Sequence, residues 1–200
     1  MKIFYWLAIS SLFCFLTSCS LFSPVPAESG NKYVLNTLPP SQIKKPHRST
    51  TLMVAEPNTT TFYDTTLMAY SLKHWQLAYF SKNTWSSRPS EMIQPLIVQS
   101  LQNTHYFHAV ITPAVSGGYD YLLNTQLTQF VQDFSYPRPV FRLTVTAEII
   151  RASTNKIVAS KQFVIAETLQ QRSPYAGVLA ANQATEVFLR QLTMFCLQHV

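Results

Sequence analysis

Val140-Phe141-Arg142-Leu143-Thr144-Val145-Thr146-Ala147-Glu148-Ile149-Ile150 alternates apolar and polar side chains almost without a break. Phe141, Leu143, Val145, Ala147 and Ile149 fall on one side, and Arg142, Thr144, Thr146 and Glu148 on the other. Successive side chains of a β-strand point to opposite faces, so this stretch predicts a strand with one covered face and one wet face. Its neighbours repeat the pattern. Residues 119–131 place Tyr119, Tyr121, Leu123, Leu127 and Val131 on one face. Residues 157–166 set Ile157, Phe163 and Ile165 opposite Ser160 and Gln162, and Ser153-Thr154-Asn155-Lys156 reads as the hairpin turn before them.

Beyond these strands, residues 174–199 change period from two to 3.6. Ala180, Ala184, Val187, Phe188, Leu192, Phe195 and Cys196 form an apolar stripe, while Asn182, Gln183, Thr185, Glu186, Arg190 and Thr193 are expected to face water. The polar face is not rich in Lys or Arg, so the helix reads as packed on the sheet and not laid on a membrane. A second helix is expected from Arg88-Pro89-Ser90-Glu91 to about Asn103, with Ser90 as N-cap and Ile93, Leu96, Ile97, Ser100 and Leu101 on one face. Pro95 falls inside it. Short strands are expected at 33–38, 50–55, 67–72, 75–80 and 107–112, with a polar loop carrying Trp85. The predicted fold class is therefore α/β, a mixed or mainly antiparallel sheet packed by two helices.

The chain has 200 residues, 47% hydrophobic and 13% aromatic, with only 12% charged. That composition builds a folded core, not a disordered chain. The formal charge is +6, but Lys44, Lys45 and Arg48 form the only basic cluster, too sparse for a nucleic-acid surface.

The N-terminus carries an address. Lys2 precedes an apolar, aromatic-rich run over 3–16, which is too short to span a bilayer and suits a signal sequence. Leu16-Thr17-Ser18-Cys19 closes it in the pattern of a bacterial lipobox. Residues 1–18 are thus expected to leave as a lipoprotein signal peptide. Cys19 is expected to carry a diacylglycerol thioether and an N-acyl chain, the multiple-chain anchor that single acylation cannot match. Ser20 follows where an inner-membrane retention signal would place Asp, so the expected site is the outer membrane, facing the periplasm. Residues 19–32 read as a lipidated flexible tether rich in Pro, Ser and Gly; the thirteen residues 20–32 reach at most about 40 Å. Residues 33–200 are expected to form one periplasmic domain. Of three cysteines, Cys14 leaves with the signal and Cys19 is acylated, so Cys196 remains alone as a small buried hydrophobe.

Catalytic patterns are missing. The nine acids form no tight pair, there is no Gly-x-Ser-x-Gly elbow and no phosphate-binding glycine loop. His105 and His108 are the only close histidine pair, at a helix-to-strand junction without a third ligand nearby. No catalytic residue, metal site or dissociable cofactor is expected. The pattern is that of a binding or assembly module, not an enzyme.

One block carries more. Leu67-Met68-Ala69-Tyr70 is followed by His74-Trp75-Gln76-Leu77-Ala78-Tyr79, then Trp85, then Ser90-Glu91-Met92-Ile93-Gln94-Pro95-Leu96-Ile97 with Leu101, then Asp120-Tyr121-Leu122-Leu123 and Phe130. With the opening Tyr33-Val34-Leu35 and the long C-terminal helix, this order resembles the ABC-type transport auxiliary lipoprotein component family, the PqiC- and YmbA-type lipoproteins. The likeness covers roughly residues 33–195. It departs at Thr66-Leu67, where the family's strand has Arg-Ile or Arg-Leu. The resemblance implies an α/β fold similar to the N-terminal domain of TolB. It also implies partnership with an ABC permease and ATPase and an MCE-domain protein in lipid traffic between two membranes.

The expected function is an outer-membrane-anchored docking subunit of an MCE-type ABC lipid transporter. The alternative is a periplasmic carrier of a lipid or small amphiphile, its aromatic residues lining a cavity between sheet and helix. Trp75, Tyr79 and Trp85 are the candidate partner-binding residues, because large aromatics in loops or at edges suit hot spots. For Trp75 and Tyr79 a place in the core is an equal reading. The sequence leaves the oligomeric state open, a homo-oligomer included.

Overall fold

The structure, a computed structural model, describes residues 30–40, 46–115 and 117–200. The signal segment, Cys19 and the tether up to residue 29 lie outside these.

The alternating block forms the expected three-strand antiparallel centre. Strand β7 (Tyr121–Asp133), β8 (Val140–Arg151) and β9 (Lys156–Thr168) pair along their full lengths. Phe141, Leu143, Val145, Ala147 and Ile149 are all buried. Helix α2 (Pro174–His199) covers that face, lying across β8 and β9. Phe188 and Phe195 meet Phe163 edge-on at 5.5 and 6.0 Å. Small Ala180, Ala181 and Ala184 let the helix sit close to the sheet. A Cβ at Gly177 would fall 1.9 Å from the Gln132 side chain, so any larger residue there would displace that amide.

Strand β7 also organises the other half. Along its second edge run β2 (Thr51–Val54), β3 (Asn58–Thr59) and β4 (Leu67–Ser71), all parallel to it. Outside β2 lies β6 (Ala109–Ile111). Outside β4 lies β5 (Ala78–Trp85), antiparallel, and then β1 (Asn31–Tyr33), parallel to β5. The result is a mixed nine-stranded sheet. Helix α1 (Pro89–Gln102) packs on β2 and β6 and against α2, so both helices cover the same face.

Several expectations need correction. The first strand is Asn31–Tyr33, not 33–38, because its partner is the distant β5. The expected polar loop around Trp85 is instead the second half of β5. Val131 does not share the face of Leu123 and Leu127. A bulge between Leu127 and Gln129 inverts the alternation, so Phe130 takes that face opposite Leu143. A second irregularity between Ile149 and Ile150 turns Ile157 outward, where it is exposed. The N-cap of α1 is Arg88 instead of Ser90: Pro89 starts the first turn, and the Glu91 carboxylate accepts from the Arg88 N–H at 3.1 Å. Thr185 and Thr193 are buried, since α1 covers a second side of α2, and the Thr185 hydroxyl donates to the Ala181 carbonyl at 2.7 Å. No helix of the described residues is long and apolar enough to cross a membrane.

Candidate functional site

The β4–β5 hairpin separates the three candidate aromatics. At its base, Trp85 is 2% exposed. Its ring lies 5.2 Å from Phe130, and its backbone N–H donates to the Thr66 carbonyl at 2.7 Å. It is a core residue and offers nothing to a partner. Tyr79, on β5, stacks on Phe62 at 4.5 Å and donates its hydroxyl to the Phe62 carbonyl at 2.7 Å. Both its ring and its hydroxyl are spent on fixing the 3-10 turn Thr61–Tyr63 to the sheet. Trp75 alone is presented. It stands at the tip with 103% relative exposure and a left-handed backbone, φ 62°. The tip is held beneath it by Ser71 Oγ donating to the Lys73 carbonyl at 2.8 Å and by the Gln76 N–H donating to the same oxygen at 3.2 Å.

The tip is part of one end of the sheet. β4 and β7 are parallel and finish together; the Phe134 N–H donates to the Ser71 carbonyl at 2.8 Å. The connection 134–139 between β7 and β8 therefore lies beside the tip, and the His74 ring meets Tyr136 edge-on at 5.3 Å. Arg172, in the connection from β9 to α2, donates to the Phe134 carbonyl at 2.7 Å and sits 5.7 Å over the Phe134 ring. Leu72, Trp75, Leu77 and Tyr136 are the exposed large apolar residues of this end. Sequence reasoning missed the grouping because its three connections are far apart in the chain. The signal was present in part: 72–77 and 134–139 each carry an aromatic and a cation, 169–173 carries a cation alone, and none of the three has an acid.

Asp133 pins this end. Burial pushes its carboxyl upward, but hydrogen bonds from Ser135 and Arg142 outweigh that and hold it below the usual carboxylate range. Arg142 Nε donates to it at 2.8 Å, and the Ser135 N–H at 3.0 Å. Two hollows flank the tip. One, of about 400 Å³, is lined by Tyr70, Leu72, Phe80, Phe134, Arg172 and Pro174. The other, of about 250 Å³, lies among Tyr63, Trp75, Asp133 and Arg142. Burial raises the Tyr63 phenol above its ordinary value, with Tyr79 adding to the shift.

Little else here does chemistry. The Cys196 thiol is fully buried, and burial pushes it up to about 12, so it stays protonated and is no nucleophile. His108 faces His47 at 6.3 Å. Among the described residues no three His, Cys, Asp or Glu side chains come together to hold a metal.

Comparison with known proteins follows the same direction. Residues 33–193 match the sequence model of the ABC-type transport auxiliary lipoprotein component family. No curated protein matches the chain significantly. Among solved structures, the chain is similar to protein XCC0632 from Xanthomonas campestris, of the DUF330 family, at 19% identity and a TM-score of 0.78. The match covers 84% of this chain and 96% of that one. It is also similar to the hypothetical protein CT253 from Chlamydia trachomatis, at 8% identity and a TM-score of 0.53, over 76% of this chain and 98% of that one. These likenesses establish the α/β fold, a mixed sheet with two helices.

Proposed function

The chain belongs to the ABC-type transport auxiliary lipoprotein component family, a membrane-associated lipoprotein family and not an enzyme family, and from that membership we propose a docking role for it. Residues 1–18 are removed as a signal peptide, and Cys19 is diacylated and N-acylated. Residues 19–32 tether one domain, 33–200, to the periplasmic face of the outer membrane. There the domain serves as the auxiliary subunit of an MCE-type ABC lipid transport system, holding the MCE-domain protein and its permease–ATPase complex close to the outer membrane. The lipobox and Ser20 support the address. The observation that carries the role is the match of residues 33–193 to the auxiliary-component family; Trp75, fully exposed on a hairpin tip while Tyr79 and Trp85 are held by contacts within the domain, marks the end of the domain turned to its surroundings.

Cross-linking of the native envelope, followed by affinity capture of the lipidated chain, tests the role. The MCE-domain protein and the ATPase should be recovered with it. Capture without either, under conditions that recover a known envelope complex, removes the proposal. The second reading, a carrier of a lipid or small amphiphile, draws on the aromatic groove beside α2. Native mass spectrometry separates the two, since a carrier retains about one lipid per chain.

A further inference from the structure

We propose that the end of the sheet bearing Trp75 is a lipid-contact surface, and that it rests in the headgroup layer of the anionic phospholipid membrane that holds the anchor. The inference rests on the lipoprotein reading above and names the partner of the tip.

The first argument is direction. β1 runs parallel to β5, with Asn31 opposite Asn83, and Gly30 lies against the Lys82 carbonyl. The N-terminal end of β1, at Gly30, therefore faces the side on which β5 begins, which is the side of the tip. Ala78 to Asn83 spans about 17 Å of strand. The eleven residues from Cys19 to Gly30 can extend to about twice that. With Cys19 held at the membrane, the tip reaches the same surface without straining the leash.

The second argument is charge. The connections 72–77, 134–139 and 169–173 contain no Asp or Glu, and they carry Lys73, Arg138 and Arg172, all exposed. The nearest acids, Asp133 and Glu167, lie on the strands, and Asp133 is held by Arg142. Three acid-free connections carrying three cations, with the neighbouring Asp133 carboxylate already paired to Arg142, complement an anionic headgroup layer.

The third argument is the kind and amount of apolar surface. Trp and Tyr sit where water meets hydrocarbon, because one part of each side chain is apolar and the other polar. Trp75 and Tyr136 supply both types, with Leu72 and Leu77 beside them. The left-handed backbone at Trp75 costs about 1–2 kcal/mol in a residue with a side chain. A turn serving only to connect two strands gains nothing from a tryptophan there. The exposed large apolar residues of this end are Leu72, Trp75, Leu77 and Tyr136, few beside the roughly 20–30 residues a side of a standard protein interface. A bilayer needs no such complementary area.

Tryptophan fluorescence of the mature lipidated protein tests this, because cleavage removes Trp6 and leaves Trp75 and Trp85. The protein is reconstituted into phosphatidylethanolamine–phosphatidylglycerol vesicles, with and without brominated acyl chains. Flotation scores the anchor; quenching scores the tip. The Trp75 emission should shift to the blue, be quenched by bromolipid and be protected from iodide. The Trp75→Ala protein should float equally, its remaining Trp85 emission unquenched. Lys73→Gln or Arg138→Gln should each weaken the contact equilibrium about fivefold. A protein that floats while Trp75 stays open to iodide overturns the inference and leaves the anchor intact. Protection from iodide that arises only when an MCE-domain protein is added overturns it in favour of a protein partner. A protein that does not float refutes the anchor.

Discussion

Trp75 and Trp85 sit ten residues apart in one hairpin and have opposite fates. At the base, Trp85 is held on both sides, by Thr66 just before β4 and by Tyr33 of β1, and its ring is laid on Phe130. At the tip, Trp75 has no strand on either side and a left-handed backbone that points the ring into solvent. Hydrophobicity does not distinguish the two. Register does: a side chain is buried when neighbouring strands bring a face against it, and a tip has no such neighbour. A large apolar residue left at such a tip is a contact residue.

The largest effect expected from breaking this contrast is at the base. Trp85→Ala should cost about 3–5 kcal/mol, as for other buried aromatics, read as a lowered urea midpoint at unchanged slope. A loss under 1 kcal/mol would mean that the ring is not packed as described.

Asp133→Asn should cost less, about 1–2 kcal/mol at neutral pH, because one charge-assisted bond to Arg142 is lost while the Ser135 contacts can persist. The sign with pH is fixed. The folded carboxyl titrates below its ordinary value, so its contribution is present above that ordinary value and is lost as pH falls through the folded one. Urea melts at pH 7 and near pH 3 should therefore show the wild-type advantage shrinking in acid. An advantage that grows in acid would contradict the ion pair.

The smallest effects belong to the tip. Trp75→Ala should change stability by no more than about 0.5 kcal/mol. Trp75→Gly, which relieves the left-handed backbone but adds unfolded-state freedom, should leave stability unchanged or raise it by up to about 1 kcal/mol. A loss above 2 kcal/mol in either would make Trp75 a structural residue.

How much of this was legible depends on which strands have one wet face. β8 alternates cleanly because α2 covers one side and the other is half open to water, with Thr144 buried there, and α2 is legible for the matching reason. Val131 and Ile157 were placed on the wrong face because a bulge shifts parity without leaving a mark in composition. β5 was half missed because Ser81, Lys82, Asn83 and Thr84 carry no alternation: that stretch is wet or half-wet on both faces and is held by partners fifty residues away. Thr185 and Thr193 were misplaced because α2 is covered on two sides and threonine can satisfy its own hydroxyl inside a helix. Of the candidate site, Trp75 was legible as a residue, and its company was not. Only the parallel pairing of β4 with β7 brings Tyr136 and Arg138 to the tip.

Everything claimed for the tip depends on the anchor, and one comparison tests it most directly: palmitate labelling and envelope fractionation of the wild type and Cys19→Ala. The wild type should incorporate label and fractionate with the outer membrane. The variant should do neither, and should accumulate unprocessed or soluble while its domain keeps the wild-type urea midpoint, because Cys19 lies twelve residues before the sheet begins at Asn31. A variant that still takes up palmitate and still fractionates with the outer membrane would contradict the account.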